Sequence, residues 1–143
     1  MKYLIKANAL LLFVFGSLFF KAQRTAIYAD HDLLYKQGLE LFDKKQYVSS
    51  QEKFLEFETK TKSSILKADA NYYAAACGIE LFNKDSEWLM REFIKNYPSS
   101  AEINKANFYL GKSNFRKKKY DETLENFEKI DIYKLDKEQL AEF

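Results

Sequence analysis

Two blocks of this chain carry the same residue types at the same offsets. Residues 35–54 read YKQGLELFDKKQYVSSQEKF, and residues 108–127 read FYLGKSNFRKKKYDETLENF. In each, an aromatic (Tyr35, Phe108) precedes a glycine (Gly38, Gly111) by three positions. A phenylalanine (Phe42, Phe115) follows the glycine at +4, a lysine pair at +6 and +7, a tyrosine (Tyr47, Tyr120) at +9 and a second phenylalanine (Phe54, Phe127) at +16. Recurrence at fixed offsets marks an internal repeat, and it narrows the possible folds more than any single motif does.

The spacing has a physical reading. Glycine inside a helical pattern costs about 1 kcal/mol relative to alanine. A repeat that keeps it needs the missing side chain, so that a neighbouring helix can approach closely. The aromatics at −3 and +4 are two helical turns apart and share a face. The lysine-rich stretches are polar turns, after which Tyr47 and Tyr120 enter a second helix, with Phe54 and Phe127 two turns further along. Each block is therefore predicted to be a helix–turn–helix. One such pair cannot bury both faces, whereas stacked pairs can.

The stretch between the blocks holds a less regular copy. Ala70, Tyr73, Ala74, Cys77 and Leu81 form a helical stripe. Gly78 and Phe82 keep the +4 offset. Glu87 takes the place of the turn tyrosine, with Trp88 beside it, and Ile94 takes that of the second-helix phenylalanine. Asp85 is expected to cap the second helix after a shortened turn. Ser99 with Glu102, and Asp136 with Gln139, read as capping boxes. Leu140 and Phe143 would share a face of a last helix that begins another unit of a longer array.

These residues resemble the tetratricopeptide repeat (TPR), a helix–turn–helix unit of about 34 residues. Leu110-Gly111, Phe115, Tyr120 and Phe127 match its pattern. Gly38, Phe42, Tyr47 and Phe54 match it too, with Gln37 where leucine is usual. Ser50 and Thr123 stand where that family prefers alanine, which loosens the packing there. The resemblance covers residues 31–135 in units of about 31–64, 65–98 and 99–135, with 136–143 starting a further helix. It implies an all-α solenoid of about three antiparallel helix pairs. It also implies a concave groove, lined by the first helices, that holds an extended peptide or a partner helix. Matching positions place Tyr35, Leu39 and Asp43, then Ala75, Ile79 and Asn83, then Phe108, Lys112 and Arg116 along that groove. Tyr35 and Phe108 could equally pack between units. TPR domains that clamp a terminal carboxylate carry Lys and Asn where Tyr35 and Leu39 stand, which argues against that specificity.

The start of the chain is a different material. Lys2 and Lys6 precede an apolar run from Ala9 to Phe20, broken only by Gly16 and Ser17. That run is shorter than the roughly 20 residues of a membrane span. Residues 1–22 read as a secretory signal peptide cut after Ala22, with an uncleaved anchor as the competing reading. Residues 23–30 form a short leader. The sole cysteine, Cys77, lies far from the cut, so a lipid-modified N-terminus is not expected. Removing residues 1–22 takes three lysines and no acid from a chain of formal charge +2, leaving −1. No basic field for nucleic acid remains.

Composition and motifs exclude several kinds of chemistry. Aromatics make up 17% of the chain, which argues against disorder, and one proline with four glycines argues against long loops. His31 is the only histidine and precedes a predicted helix, so it is read as exposed. Cys77 lies on the apolar stripe and is read as a small buried hydrophobe. The sequence has no metal-ligand spacing, no phosphate loop and no framed carboxylate pair. No catalytic residue, metal or cofactor is therefore expected. The combination of export signal and repeats is similar to periplasmic TPR proteins that attend outer-membrane assembly or the Tol–Pal division machinery. It implies a protein or peptide partner in the periplasm or at the outer membrane. The alternatives are a helical accessory region of a longer cell-wall enzyme and a self-assembling structural module.

Overall fold

The computed structural model describes residues 33–142, and every regular element among them is helical. The predicted signal peptide, the leader, His31 and Phe143 lie outside the described residues. Helix α1 covers 33–43, followed by α2 (Tyr47–Lys60), α3 (Ser64–Glu80), α4 (Ser86–Asn96), α5 (Ile103–Arg116) and α6 (Tyr120–Phe127). A 3₁₀ turn, Ile132–Lys134, leads into α7 (Lys137–Glu142). The all-α class follows as the repeat predicts.

Consecutive helices run antiparallel. In α1 and α2 the rings of Tyr35 and Phe57 lie 5.1 Å apart at one end, and those of Phe42 and Tyr47 lie 5.6 Å apart at the other. In α3 and α4, Asn71 donates to the Tyr97 hydroxyl at 3.3 Å, while Gly78 faces Ser86. In α5 and α6, Phe108 stacks near Phe127 and Phe115 meets Tyr120. The first helices of the three pairs lie side by side in parallel. Tyr35 donates to Asp69 near the starts of α1 and α3, and Glu80 meets Lys112 near the ends of α3 and α5.

The glycines explain how the pairs close. A Cβ on Gly38 would lie 2.9 Å from the Phe54 ring, and one on Gly111 only 2.2 Å from Phe127. Real Cβ atoms do not come so near, so the second helix holds its position because the first lacks a side chain there. In the middle pair a Cβ on Gly78 would lie 2.9 Å from Ser86 Cβ.

All three hairpins turn through the same hydrogen-bond pattern. Lys45, Phe82 and Lys118 have φ of 57°, 59° and 60°. Their amides bond the carbonyls of Phe42, Ile79 and Phe115, and the next amide reaches back to Leu41, Gly78 and Asn114, each at 2.9 Å. This is the Schellman closure of a helix end, which usually has glycine at the left-handed position. A side chain in that conformation costs roughly 1–2 kcal/mol.

The shared turn corrects the alignment of the middle unit. The left-handed residue falls seven positions after Gly38 and Gly111 but four after Gly78, so α3 ends a turn early. Phe82 is therefore the turn residue, 73% exposed, and does not occupy the place of Phe42. The second helices show the consequence. Each presents a small residue followed by large ones at +4 and +7, the last of them past the end of α6 in the third pair: Ser50–Phe54–Phe57, Ser86–Met90–Phe93 and Thr123–Phe127–Ile130. The first two trios are fully buried, as is Thr123, while Phe127 and Ile130 pack partly buried against the same core. Met90, not Ile94, thus replaces the second-helix phenylalanine, and Ile94 packs partly buried beside it. Glu87 reaches α5 instead of filling the place of a turn tyrosine, and Trp88 is exposed.

The hydroxyls of Ser50 and Thr123, where alanine was expected, are both bonded, as is that of Ser86 at the matching place, so the packing there is not loose. Ser50 donates to Gly38 O at 2.9 Å, Ser86 to Asn83 O at 2.6 Å and Thr123 to Lys119 O at 2.8 Å. Of the capping expectations, Asp136 with Gln139 forms the reciprocal box, at 2.8 and 3.3 Å. Asp85 sits at the cap of α4 without a side-chain bond. Glu102, not Ser99, is the cap residue of α5, because Ser100 accepts from the Glu102 amide and forms the turn before it.

The core comprises two clusters. One gathers Leu34, Phe54, Phe57, Ala70 and Ala74. The other runs from Tyr72 and Ile79 through Met90 and Phe93 to Phe108, Leu110 and Leu135. Phe42 and Tyr73 pack against both and join them.

Two substitutions test this packing. Gly111→Ala gains about 1 kcal/mol of helix propensity but forces Phe127 aside, an overpacking that costs about 1–3 kcal/mol. At 2.2 Å the second effect should win. Urea denaturation should show a net loss of about 1–2 kcal/mol, less for Gly38→Ala, with partial recovery on adding Phe127→Leu. Asn114 is 1% exposed, and neither its side-chain oxygen nor its nitrogen meets a partner. It stands where the first pair has Leu41. Asn114→Leu should raise stability by about 1–2 kcal/mol, because an unsatisfied buried amide is removed.

Candidate functional site

Charged groups from successive first helices converge on one face. There a cleft of about 110 Å³ is lined by Phe42, Asp43, Lys45, Tyr47, Glu80, Tyr109 and Lys112, and on its far side by α7 and the residue before it, through Asp136, Glu138, Gln139 and Glu142. Roomier clefts of about 280 and 540 Å³ open along α2, α3 and α4 and beside the loop before α5. The smaller cleft is the one where α1, α3, α5 and α7 meet.

Glu80 is the hub. Its carboxylate accepts from Lys112 Nζ at 2.8 Å and from an Arg116 terminal nitrogen at 2.9 Å, and its side chain is 10% exposed. Arg116 also donates to Ile79 O and lies over the Phe82 ring, 4.9 Å from its centroid. Lys112 makes a second ion pair, with Glu142. Burial works against ionisation of Glu80, but the Lys112 and Arg116 bonds outweigh it and hold the carboxyl below its ordinary value of 4.5. Glu87 behaves alike: burial opposes its charge, and Lys117 with Ser113 outweighs that opposition.

At the other end of the same helices the balance reverses. Burial, then the charge of Glu102, raises the Asp69 carboxyl above its ordinary value, and the Tyr35 hydrogen bond offsets this only in part. The Tyr35 phenol is pushed up to about 12, first by burial and then by Asp69.

The structure separates the residues expected along the groove. Asp43, Lys112 and Arg116 are at this face. Asn83 is exposed on the turn and accompanies Gln51, 3.4 Å away. Ala75, Ile79 and Phe108 are 1–2% exposed and belong to the core. Tyr35 and Leu39 pack, partly buried, on the cluster of Phe54 and Phe57. Glu80 and Tyr109 line the cleft in place of Ile79 and Phe108. One position along a helix rotates a side chain by about 100°, so a register one residue out exchanges a core face for a surface face. The charge at Glu80, directly after the apolar Ala74–Ile79 run, was the signal for the correct register.

The sole thiol is part of the frame. Cys77 is fully buried and free, donates to Ser50 Oγ at 3.4 Å, and is pushed up to about 11, chiefly by burial. A thiol so held is not a nucleophile at neutral pH. No group of three His, Cys, Asp or Glu among the described residues could hold a metal ion.

The sign of the Glu80 shift sets a pH dependence. A carboxyl depressed in the folded state stabilises the fold above its unfolded value and loses that contribution as pH falls through its folded value. Stability should therefore decline as pH drops below about 4.5. Glu80→Gln should flatten that decline and cost on the order of 2 kcal/mol at pH 7, since charge-assisted bonds to Lys112 and Arg116 are weakened. Denaturant midpoints from pH 7 to pH 3 check both; Asp69, shifted the other way, is common to the two chains.

No family model matches the chain, and no curated protein or solved structure matches it.

Proposed function

We propose that this chain is an exported helical-repeat scaffold of the tetratricopeptide type, which binds a protein or peptide partner in the bacterial periplasm or at the outer membrane and performs no chemistry itself. The observation that carries the reading is the threefold recurrence of one hairpin. Each pair has a glycine against its second helix, a left-handed closing residue and a small–large–large trio, and the first helices line up in parallel. Repeats built this way create extended faces, and such faces serve recognition. A fold hosts many functions, so the argument for binding comes from the face itself. Around the cleft, side chains of both signs are displayed on a rigid aromatic frame, an arrangement suited to choosing a partner by charge pattern.

Localisation rests on residues 1–22, whose basic start and apolar run before Ala22 have the layout of an export signal. An outer-membrane assembly factor or a Tol–Pal-like accessory is the setting this reading favours.

Asp43 gives a clean test. It is exposed and lines the cleft, and the frame does not depend on it. The tagged chain, expressed in a bacterium that exports it, should recover a defined envelope protein after crosslinking. Asp43→Lys, which reverses a charge of the cleft, should change that recovery several-fold while circular dichroism stays unchanged. Equal recovery from both chains would remove the cleft face from the binding role, and a chain retained in the cytoplasm would overturn the localisation.

A further inference from the structure

The face that the first helices make is already covered on one side. Leu135 is 7% exposed and Gln139 is 6% exposed, so the segment around α7 turns one side inward. Glu138 meets Lys45 at 2.5 Å and Glu142 meets Lys112. Glu138 and Glu142 lie one turn apart on α7 and share a face, and Leu135 stands in extended backbone two residues before the helix. This segment touches the turn after α1 through Lys45 and α5 through Lys112, and so closes over the face that the first helices make.

We propose that this face is a seat for an acidic helical segment, that α7 of the same chain fills it, and that a partner segment of the same chemistry binds by exchange with α7. The partner's chemistry is read from the occupant: an apolar residue followed by carboxylates at +3 and +7. The inference rests on the binding role given above and specifies how the same site is regulated.

The way α7 is held favours exchange. It spans six residues, too few for a helix to stand alone in water. Both members of the Lys45–Glu138 pair are more than 60% exposed, and exposed ion pairs contribute little and are screened by salt. Leu135 is the single apolar side chain from this segment in the main core cluster. By contrast, α3 and α5 are joined by the buried Tyr72 and Tyr109 rings and by the Glu80 hub. Opening α7 therefore leaves the rest of the frame intact.

Two measurements on the whole chain test this. In hydrogen exchange, amides of 137–142 should exchange at least a hundredfold faster than those of 104–116, and faster still in high salt. Equal protection of the two segments would make α7 a permanent wall and overturn the proposal. In the second, a labelled peptide of residues 131–143 is titrated onto three chains. It should bind Glu138→Lys at least tenfold more tightly than the unchanged chain, because the resident segment is loosened. In Lys45→Glu/Glu138→Lys the swapped pair closes again, and affinity should return to the low value. Peptide affinity that is the same for all three chains also overturns the proposal. Fast exchange and peptide binding, combined with no effect of Asp43→Lys on partner recovery, would preserve the seat for α7 and remove partner binding from this face. The opposite pattern would sink the seat alone.

Discussion

The approach of each second helix to a bare glycine on the first sets the spacing of the whole structure. Helices usually pack with axes 8–10 Å apart, and a missing Cβ at the crossing permits the lower end of that range. Two things follow from the closeness. The large residues at +4 and +7 of the small–large–large trio reach across into the shared core. The hydroxyl of Ser50 also reaches a carbonyl inside α1, and Cys77 on α3 reaches that hydroxyl in turn. Three helices are thus tied by a short polar chain that would not form at ordinary separation. The bonds satisfy groups that are fully buried, so they prevent a desolvation penalty more than they add stability.

The joints between pairs differ in kind along the chain. Between the first and second pairs the joint is aromatic: Tyr73 stacks on Phe54 at 4.9 Å and meets Phe42 edge-on at 5.1 Å. Between the second and third pairs aromatic contact shares the work with ion pairs, through Tyr72–Tyr109 and Glu80. At α7 the contact is chiefly polar. In a repeat array, stability is close to a sum of unit and neighbour contributions. A joint that shifts from ring stacking to ion pairing therefore gives contacts of unequal strength, weakest where α7 is held.

Much of this was legible in the residues. Identical glycine, aromatic and lysine offsets in two blocks identified the hairpins, and the glycines lie against rings as their cost implied. The middle unit was legible only in part. Its glycine keeps the +4 phenylalanine, but the helix stops three residues early, because Phe82 takes the left-handed place held by a lysine elsewhere. Nothing in local propensity announces a phenylalanine in that conformation, so Met90 was passed over for Ile94. The cleft was misread for a related reason. Placing the groove by matching positions took Ile79 and Phe108, whereas the buried face claims both and turns Glu80 and Tyr109 outward. The role of α7 depends on contacts with Lys45 some ninety residues earlier, which no local pattern encodes.

The charge pattern at the cleft follows from these constraints. Glu80 is fixed in place because α3 ends there, and its two cationic partners come from the next first helix. Lys112 is shared between Glu80 and Glu142, so its charge is only partly committed to the frame. A cation with one permanent and one exchangeable partner can discriminate between acidic segments without being freed from the core. Exposed ion pairs contribute little affinity, but they set register and reject like charge. On the exchange proposed above, selectivity at this face comes from where two carboxylates fall on a helical turn, and affinity from an apolar residue that enters as Leu135 enters the core cluster here.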